Sequence, residues 1–384
     1  MKKIILFLLL VIGIFFVLFY KKEEEEKEEE AKGVFISYME LQEEIKGKEE
    51  KIVQKNIDTM IENIKELDLN TIILQVRPSC DAIYPSKIYP FSSYVVEEEE
   101  KVTFDILAYF LEKSHEKGIK LLAWINPYRI RTTNDISSIT PSSPAYNYLG
   151  SDLVYTSSSG IYWNPSKSEV TNLIVDGVRE ILEYSVDGIL MDDYFYPDTE
   201  IDKKDYEIYI KEHPNITEEE YRLGVVSNMI EKVHEECQKK NVKFGVSPDG
   251  NMENNYEKHY ADVKKWMSSD KYIDFIMPQV YYGFYNSTKS YAKVIKEWDS
   301  FVNNNIDLYI ALAFYKVGKE DYYAAAGQKE WLENDNIIMR EVILSRNLEH
   351  YKGFSLFRYD NLFNQKTVTP TSKMELENFK KVVK

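Results

Sequence analysis

Residues 186–196, Val-Asp-Gly-Ile-Leu-Met-Asp-Asp-Tyr-Phe-Tyr, join a short apolar run to two adjacent carboxylates and three aromatic rings. An apolar run of this length after a helical segment predicts a buried parallel strand whose carboxyl end opens into a polar site. Neighbouring acids resist simultaneous ionisation, so Asp192 and Asp193 suit acid and base roles. In the alternative interpretation, one Asp caps the following loop and the other pairs with an arginine.

Strands and amphipathic helices alternate eight times from Gly33 onward. Apolar residues spaced at i, i+3, i+4 and i+7 mark the helices. Ser166 with Glu169, and Thr217 with Glu220, predict capping boxes at helix starts. The predicted strands cover residues 34–37, 71–76, 120–125, 188–192, 243–247, 275–280, 308–313 and 353–357.

This alternation predicts parallel strands joined by right-handed crossovers, and eight such units close into a (β/α)8 TIM barrel. A doubly wound open sheet is the alternative. It is disfavoured because the first strand–helix turn lacks a glycine-rich phosphate loop and because polar or aromatic residues follow almost every strand. The longest loops, at residues 127–160 and 197–214, follow strands three and four.

The residues that follow the strands should converge at the carboxyl-terminal face, where barrels of this class place their active sites. Acids, amides, arginines and a ring of tyrosines suit a polyhydroxylated, largely uncharged ligand. The strand-end residues are Tyr38, Arg77, Asp81, Asn126, Arg129, Asp192, Asp193, Asp249, Asn251, Gln279, Tyr281, Tyr282, Tyr315, Arg358 and Asp360.

Composition and charge argue against several classes of binding partner. A formal charge of −16 with no basic cluster argues against nucleic acid as a partner. The five His are not grouped at strand ends and no loop of spaced acids appears, so neither a metal nor another cofactor is expected. The 30 tyrosines suit sugar-stacking surfaces, although a chain rich in Lys, Ile and Asn also gains Tyr through nucleotide bias.

The first segment predicts the compartment. Residues 1–20 carry two lysines and then an apolar run at the lower limit for spanning a bilayer, with no small-x-small cleavage site after it. We therefore expect a single-pass signal anchor, an acidic juxtamembrane stalk at residues 21–32, and an extracytoplasmic barrel domain at residues 33–384.

A series of motifs across the barrel domain resembles the glycosyl-hydrolase-like family 10. The match runs in order from about Lys32 to Asn361, and its motifs are Gln75-Val76-Arg77-Pro78, Asp81-Ala82-Ile83-Tyr84-Pro85, Ala123-Trp124-Ile125-Asn126-Pro127, Trp163-Asn164-Pro165, Met191-Asp192-Asp193-Tyr194, Phe244-Gly245-Val246-Ser247-Pro248 and Pro278-Gln279-Val280-Tyr281. The resemblance implies a TIM-barrel glycoside hydrolase of bacterial envelopes, with relatives that cleave peptidoglycan glycan strands lacking stem peptides. Asp249 departs from the pattern of its motif.

Glycoside cleavage needs one carboxylic acid that protonates the leaving oxygen and one carboxylate that acts as nucleophile or base. Asp192 or Asp193 is the candidate nucleophile or base, and only one of the two can face the barrel mouth because side chains alternate along a strand. Asp81 is the first candidate for the acid and Asp249 the second. The candidate sugar-binding residues are Arg77, Asn126, Arg129, Trp163, Tyr194, Gln279 and Tyr281. The rival hypothesis is a non-catalytic glycan-binding barrel of the envelope.

Overall fold

Eight parallel strands close into a barrel in the computed structural model, which describes residues 29–97, 104–192, 194–303 and 305–384. The strands are Ala31–Ile36, Thr71–Arg77, Lys120–Ile125, Gly188–Met191, Lys243–Val246, Phe275–Ile276, Asp307–Leu312 and Tyr351–Leu356, here called barrel strands one to eight. Each pairs with its sequence neighbours, and strand one closes the barrel against strand eight. The predicted TIM barrel is confirmed, and the open-sheet alternative is wrong.

Helices cover the outside of the barrel. They span Tyr38–Glu44, Glu50–Glu66, Ile106–Glu116, Ser168–Ile181, Lys203–Tyr209, Glu218–Lys239, Met252–Glu257, Val263–Met267, Tyr291–Phe301, Glu330–Glu333, Ile337–Ser345, Tyr359–Phe363 and Pro370–Val383. Their apolar faces pack with the outward-facing strand residues into one large core. A smaller core fills the barrel interior, where Phe35, Trp124 and Phe357 meet edge to face with centroids 5.5–6.5 Å apart.

Of the two predicted capping boxes, only one forms. Thr217 and Glu220 form the predicted capping box. The box predicted at Ser166 is wrong, because the helix begins at Ser168 with Lys167 as its N-cap and no side-chain cap. The Ser166 hydroxyl donates instead to Asp205 at 2.7 Å.

Strand six is shorter than predicted. It ends at Ile276, and Pro278 follows without an N–H to donate to a neighbouring strand. Gln279 then rejoins the sheet through single bridges to Asp249 and Ala311. This interruption brings the Gln279 side chain to the mouth of the barrel.

The long loop after strand three folds into a small antiparallel sheet of Arg129–Arg131, Gly160–Trp163 and Val154–Ser157, in that spatial order. This sheet was not predicted. The apolar run at residues 4–20 lies outside the described ranges, so the predicted anchor is not described either. Within those ranges, no helix is both long and apolar enough to cross a membrane.

The space around two glycines predicts opposite effects on stability when each is replaced by Ala. A Cβ at Gly245 would lie 2.3 Å from the Phe275 ring, whereas a Cβ at Gly224, on helix Glu218–Lys239, meets nothing within 4 Å. Gly245→Ala should lower the free energy of unfolding by about 1–3 kcal/mol through overpacking. Gly224→Ala should raise it by up to about 1 kcal/mol through helix propensity. Urea unfolding of both variants tests this, and equal shifts would contradict the packing described.

Candidate active site

Asp192 is the carboxylate that faces the barrel mouth. It follows barrel strand four, on which Leu190 points into the barrel interior and Met191 into the outer core. Alternation along the strand returns Asp192 to the inside, where it lines the mouth cavity and is only 4% exposed. Asp193 lies outside the described residues.

Two neutral donors from the neighbouring strand hold Asp192. The Trp124 indole Nε1–H donates to one carboxylate oxygen at 3.0 Å, and the Asn126 side-chain amide donates to the other at 3.1 Å. Asn126 is fixed in turn because its own Oδ1 accepts the backbone N–H of Arg129 at 3.0 Å. Hydrogen bonds donated to both oxygens stabilise the ionised carboxylate, and the ionised form is the one that a nucleophile or general base requires.

The cavity at the mouth has a volume of about 140 Å³ and a mixed amide and aromatic wall. Gln279 donates to the Ser247 carbonyl at 2.9 Å, and Gln75 accepts from the Tyr38 backbone at 3.1 Å. The full lining is Phe35, Ser37, Tyr38, Met39, Gln75, Trp124, Arg129, Asp192, Tyr194, Ser247, Gln279, Tyr281 and Phe357. Such a wall offers donors and acceptors for hydroxyls together with ring faces for stacking.

Three of the predicted sugar-binding residues stand at the rim of this cavity. The Arg129 guanidinium lies 4.4 Å above the Tyr194 ring, which is 52% exposed. Tyr281 packs against Phe357 and against the edge of Tyr315, with centroids 5.8 and 5.7 Å apart. Together with Gln279 and Asn126, these residues form the part of the predicted site that the structure brings together around Asp192.

Arg77 is not at the mouth. Gln75 pairs with Trp124, but Arg77, two residues on, pairs with Ile125, so a bulge shifts Arg77 to the outer face. It is 2% exposed, with its guanidinium 4.0 Å above the Tyr89 ring. A Cβ at Gly177, on helix Ser168–Ile181, would lie 2.2 Å from Arg77 Nη1. The structure thus places Arg77 between barrel and helix.

Trp163 also lies away from the cavity. It ends strand Gly160–Trp163 of the small antiparallel sheet, is 2% exposed, and meets the edge of Tyr148. It borders a separate surface pocket with Leu153 and Val170. A side chain so deeply buried has no free ring face on which a sugar could stack.

Asp81 and Asp249, the two candidate acids, are held in the loops that follow strands two and five. Asp81 is 1% exposed, accepts from the Ser92 hydroxyl at 2.9 Å, and lies 3.6 Å from the Arg131 guanidinium. Burial raises its pKa above the ordinary 3.8. Asp249 accepts from the Asn251 backbone at 2.7 Å and from the Asn254 amide at 3.1 Å. Neither carboxylate lines the mouth cavity.

Among the residues that the structure describes, no group of three or more His, Cys, Asp or Glu side chains is arranged to hold a metal ion.

Comparison with known proteins adds the family. A family model for glycosyl hydrolase-like 10 proteins matches residues 31–332, which is most of the chain. The chain belongs to the glycosyl hydrolase-like 10 family. It is 29% identical to glycosyl hydrolase DigH of Escherichia coli K12 over 355 residues, covering 85% of this chain and 80% of the relative. It is also 29% identical to glycosyl hydrolase YngK of Bacillus subtilis over 330 residues, covering 79% of this chain but 62% of YngK.

Solved structures of other proteins share the barrel fold. The glycoside hydrolase domain of PgaB from Bordetella bronchiseptica superposes with a TM-score of 0.53 at 11% identity, covering 91% of this chain and 99% of that domain. The endo-1,4-β-mannanase of Rhizomucor miehei superposes with a TM-score of 0.56 at 11% identity, covering 94% and 96%. At such low identity the likeness concerns the fold alone.

The sequence did not lead us to predict a role for Gln75 and Trp124, which line the cavity. A signal for both was present, because each lies an even number of residues from an inward-facing apolar position on its own strand. Gln75 is two residues beyond Ile73, and Trp124 is two beyond Leu122. Because side chains two residues apart on a strand face the same side, Gln75 and Trp124 could have been predicted to face the barrel interior.

The hydrogen bond between Trp124 and Asp192 predicts unequal effects of two Trp→Phe substitutions. Trp124→Phe removes a donor to a buried carboxylate and should lower the free energy of unfolding by about 1–3 kcal/mol more than its matched control. The control is Trp331→Phe, because Trp331 is also buried but its Nε1 has no hydrogen-bond partner among the described residues. Urea unfolding of both variants tests this, and equal losses would contradict it.

Proposed function

We propose that this protein is a glycoside hydrolase that cleaves an envelope polysaccharide with Asp192 as nucleophile or general base. The observation that carries the proposal is the buried Asp192 carboxylate at the barrel mouth, with a donor on each oxygen and amides and aromatic rings around it. Membership of the glycosyl hydrolase-like 10 family supports the same chemistry.

In this mechanism a sugar ring enters the cavity with its reacting carbon toward Asp192. Gln75, Gln279 and Arg129 hold its hydroxyl or N-acetyl groups, while Tyr194 and Tyr281 contact its apolar face. Asp192 attacks the anomeric carbon or removes a proton from the attacking water, and a second carboxyl group protonates the leaving oxygen. Asp81 is the first candidate for that acid and Asp249 the second.

The substrate we propose is the glycan strand of peptidoglycan. The motif resemblance supports this choice, and so does the apolar N-terminal run, which would hold the barrel beside the cell wall. The nearly neutral wall of the cavity, with Arg129 and Asp192 as its charged members, suits a sugar polymer with few charges.

One observation favours a second function, glycan binding without cleavage. Of the described residues that line the cavity, Asp192 is the only carboxylate. A barrel that keeps its sugar-binding wall but lacks an acid within reach of the glycosidic oxygen would bind and not hydrolyse. The two functions differ in whether the purified protein releases products.

Asp192→Asn should reduce turnover by at least about 10² to 10⁴, because an amide is neither a nucleophile nor a base. Folding should survive, since Asn keeps the shape and one acceptor oxygen. The measurement is mass spectrometry of products from purified glycan strands with and without stem peptides. The control is Glu200→Gln, an exposed acid in the same loop, paired with Lys203. Cleavage at the wild-type rate by the Asp192 variant would refute the site, whereas binding without cleavage by the wild type would favour the binding module.

The acid can be identified through its dependence on the leaving group. Replacing it with Asn should cost about 10² to 10⁴ in rate on glycan strands, whose sugar leaving group needs a proton. The same variant should retain most activity on a nitrophenyl glycoside, whose leaving group departs as an anion. We expect this pattern from either Asp81→Asn or Asp249→Asn. If neither variant discriminates between the substrates, both candidates are wrong.

We also propose that the barrel lies outside the cytoplasmic membrane, anchored by residues 4–20 with Lys2 and Lys3 inside. Protease added to intact, wall-stripped cells should then release a soluble fragment close to the size of residues 33–384. Protection of the barrel from protease would refute this location, and with it the peptidoglycan substrate.

A further inference from the structure

Exposed tyrosines occur in the segments that follow barrel strands three to seven. Among the described residues, eight tyrosines belong to the large apolar side chains that remain exposed: Tyr146, Tyr148, Tyr194, Tyr209, Tyr256, Tyr285, Tyr322 and Tyr323. Six of them lie in the loops after strands three, four, six and seven, whereas Tyr209 and Tyr256 lie on helices Lys203–Tyr209 and Met252–Glu257. Other exposed apolar residues, such as Ile52, Ile343 and Met374, lie on the outer helices.

Three of these tyrosines are the most exposed of the eight, and they lie on two loops that pack together. Tyr285 follows strand six and is 60% exposed, whereas Tyr322 and Tyr323 follow strand seven and are 76% and 94% exposed. A Cβ on Gly327 of the second loop would lie 2.7 Å from the Tyr285 carbonyl carbon, which shows how closely the loops meet. The Ser287 N–H also donates to the Ala324 carbonyl at 3.4 Å.

The backbone under these rings is fixed by buried charged groups. Glu330, 5% exposed, accepts the Tyr285 N–H at 2.8 Å. Asp321, also 5% exposed, accepts the Tyr323 N–H at 3.2 Å. Exposed aromatic rings on a rigid backbone lose little conformational entropy on binding, so they form a preorganised contact surface.

The same network joins these loops to the mouth cavity. Lys316 pairs with Asp321 at 2.7 Å and donates to the Tyr281 carbonyl at 2.8 Å. Tyr281 lines the cavity, but Tyr285, Tyr322 and Tyr323 do not. The three rings are therefore connected to the proposed cleavage site through one ion pair and lie beyond it.

We infer that Tyr285, Tyr322 and Tyr323 form a distal sugar-binding platform that holds units of a glycan strand outside the mouth cavity. The identity of the occupant rests on the proposed function. A tyrosine ring packs its apolar face on a pyranose and leaves its hydroxyl free for a sugar hydroxyl. A protein with such a platform binds a polymer more tightly than a short fragment and cleaves within the chain.

The test compares binding of long and short glycans. Full-length Asp192→Asn protein is titrated calorimetrically with purified glycan strands free of stem peptides and with the tetrasaccharide derived from them. The strands should bind more tightly than the tetrasaccharide. Adding Tyr322→Ala and Tyr323→Ala should reduce the ratio of the two affinities about tenfold, which corresponds to two stacking contacts.

The matched control is Phe301→Ala in the same background. Phe301 is 41% exposed, but it ends the helix that leads back to the amino end of strand seven, at the opposite face of the barrel. Its substitution should leave the affinity ratio unchanged. An unchanged ratio in the double tyrosine variant would overturn the platform while leaving the proposed function standing. Absence of binding to both glycans would overturn the proposed function as well.

Sedimentation equilibrium distinguishes a glycan from a second copy of this chain as the occupant. The detergent-solubilised protein and its double tyrosine variant should show the same oligomeric state. A dimer that dissociates when Tyr322 and Tyr323 are replaced would overturn the sugar platform and identify the surface as a self-association interface.

Discussion

The two hydrogen bonds that Trp124 and Asn126 donate to Asp192 are the interactions on which the proposed site depends. A buried carboxylate is costly unless donors reach its oxygens. Both donors come from strand three and the residue just after it, and they reach Asp192 because Ile125 pairs with Met191 across the two strands. A slip of one residue in that register would turn the donors to the opposite face of the sheet. The strand register that closes the barrel therefore also determines which donors reach the Asp192 carboxylate.

Much of the fold was predictable because it depends on apolar runs and on helical periodicity, which are visible in the sequence. All eight strands lie within a few residues of their apolar runs, since a strand buried on both faces needs such a run whatever surrounds it. Parts of the site were less predictable because they depend on local irregularities. One bulge moves Arg77 to the outer face, and the loop after strand three folds into a sheet that buries Trp163. Asp192 could be identified as the inward-facing acid only from the structure, in which Leu190, two residues before it, points into the barrel interior.

Function in this molecule is concentrated at the carboxyl ends of the strands. Among the described residues, the mouth combines one carboxylate with amides and rings, and the loops after strands six and seven carry the most exposed tyrosines. The buried acids Glu330 and Asp321 accept backbone N–H groups of those loops, so charged groups outside the cavity fix the backbone under these tyrosines. The proposed pocket for the reacting sugar and the proposed platform for its neighbours together favour a polymeric substrate over a small glycoside.

A crystal structure of the Asp192→Asn variant soaked with a glycan tetrasaccharide tests the central claim most directly. The proposed mechanism predicts a sugar ring inside the mouth cavity with its anomeric carbon facing the side chain at position 192, about 3–3.5 Å away for a nucleophile or separated from it by one water for a general base. Gln75 or Gln279 should hydrogen-bond to the hydroxyl or N-acetyl groups of that ring. A tetrasaccharide bound elsewhere on the barrel, with no sugar in the cavity, would contradict the assignment of Asp192 as the reacting carboxylate.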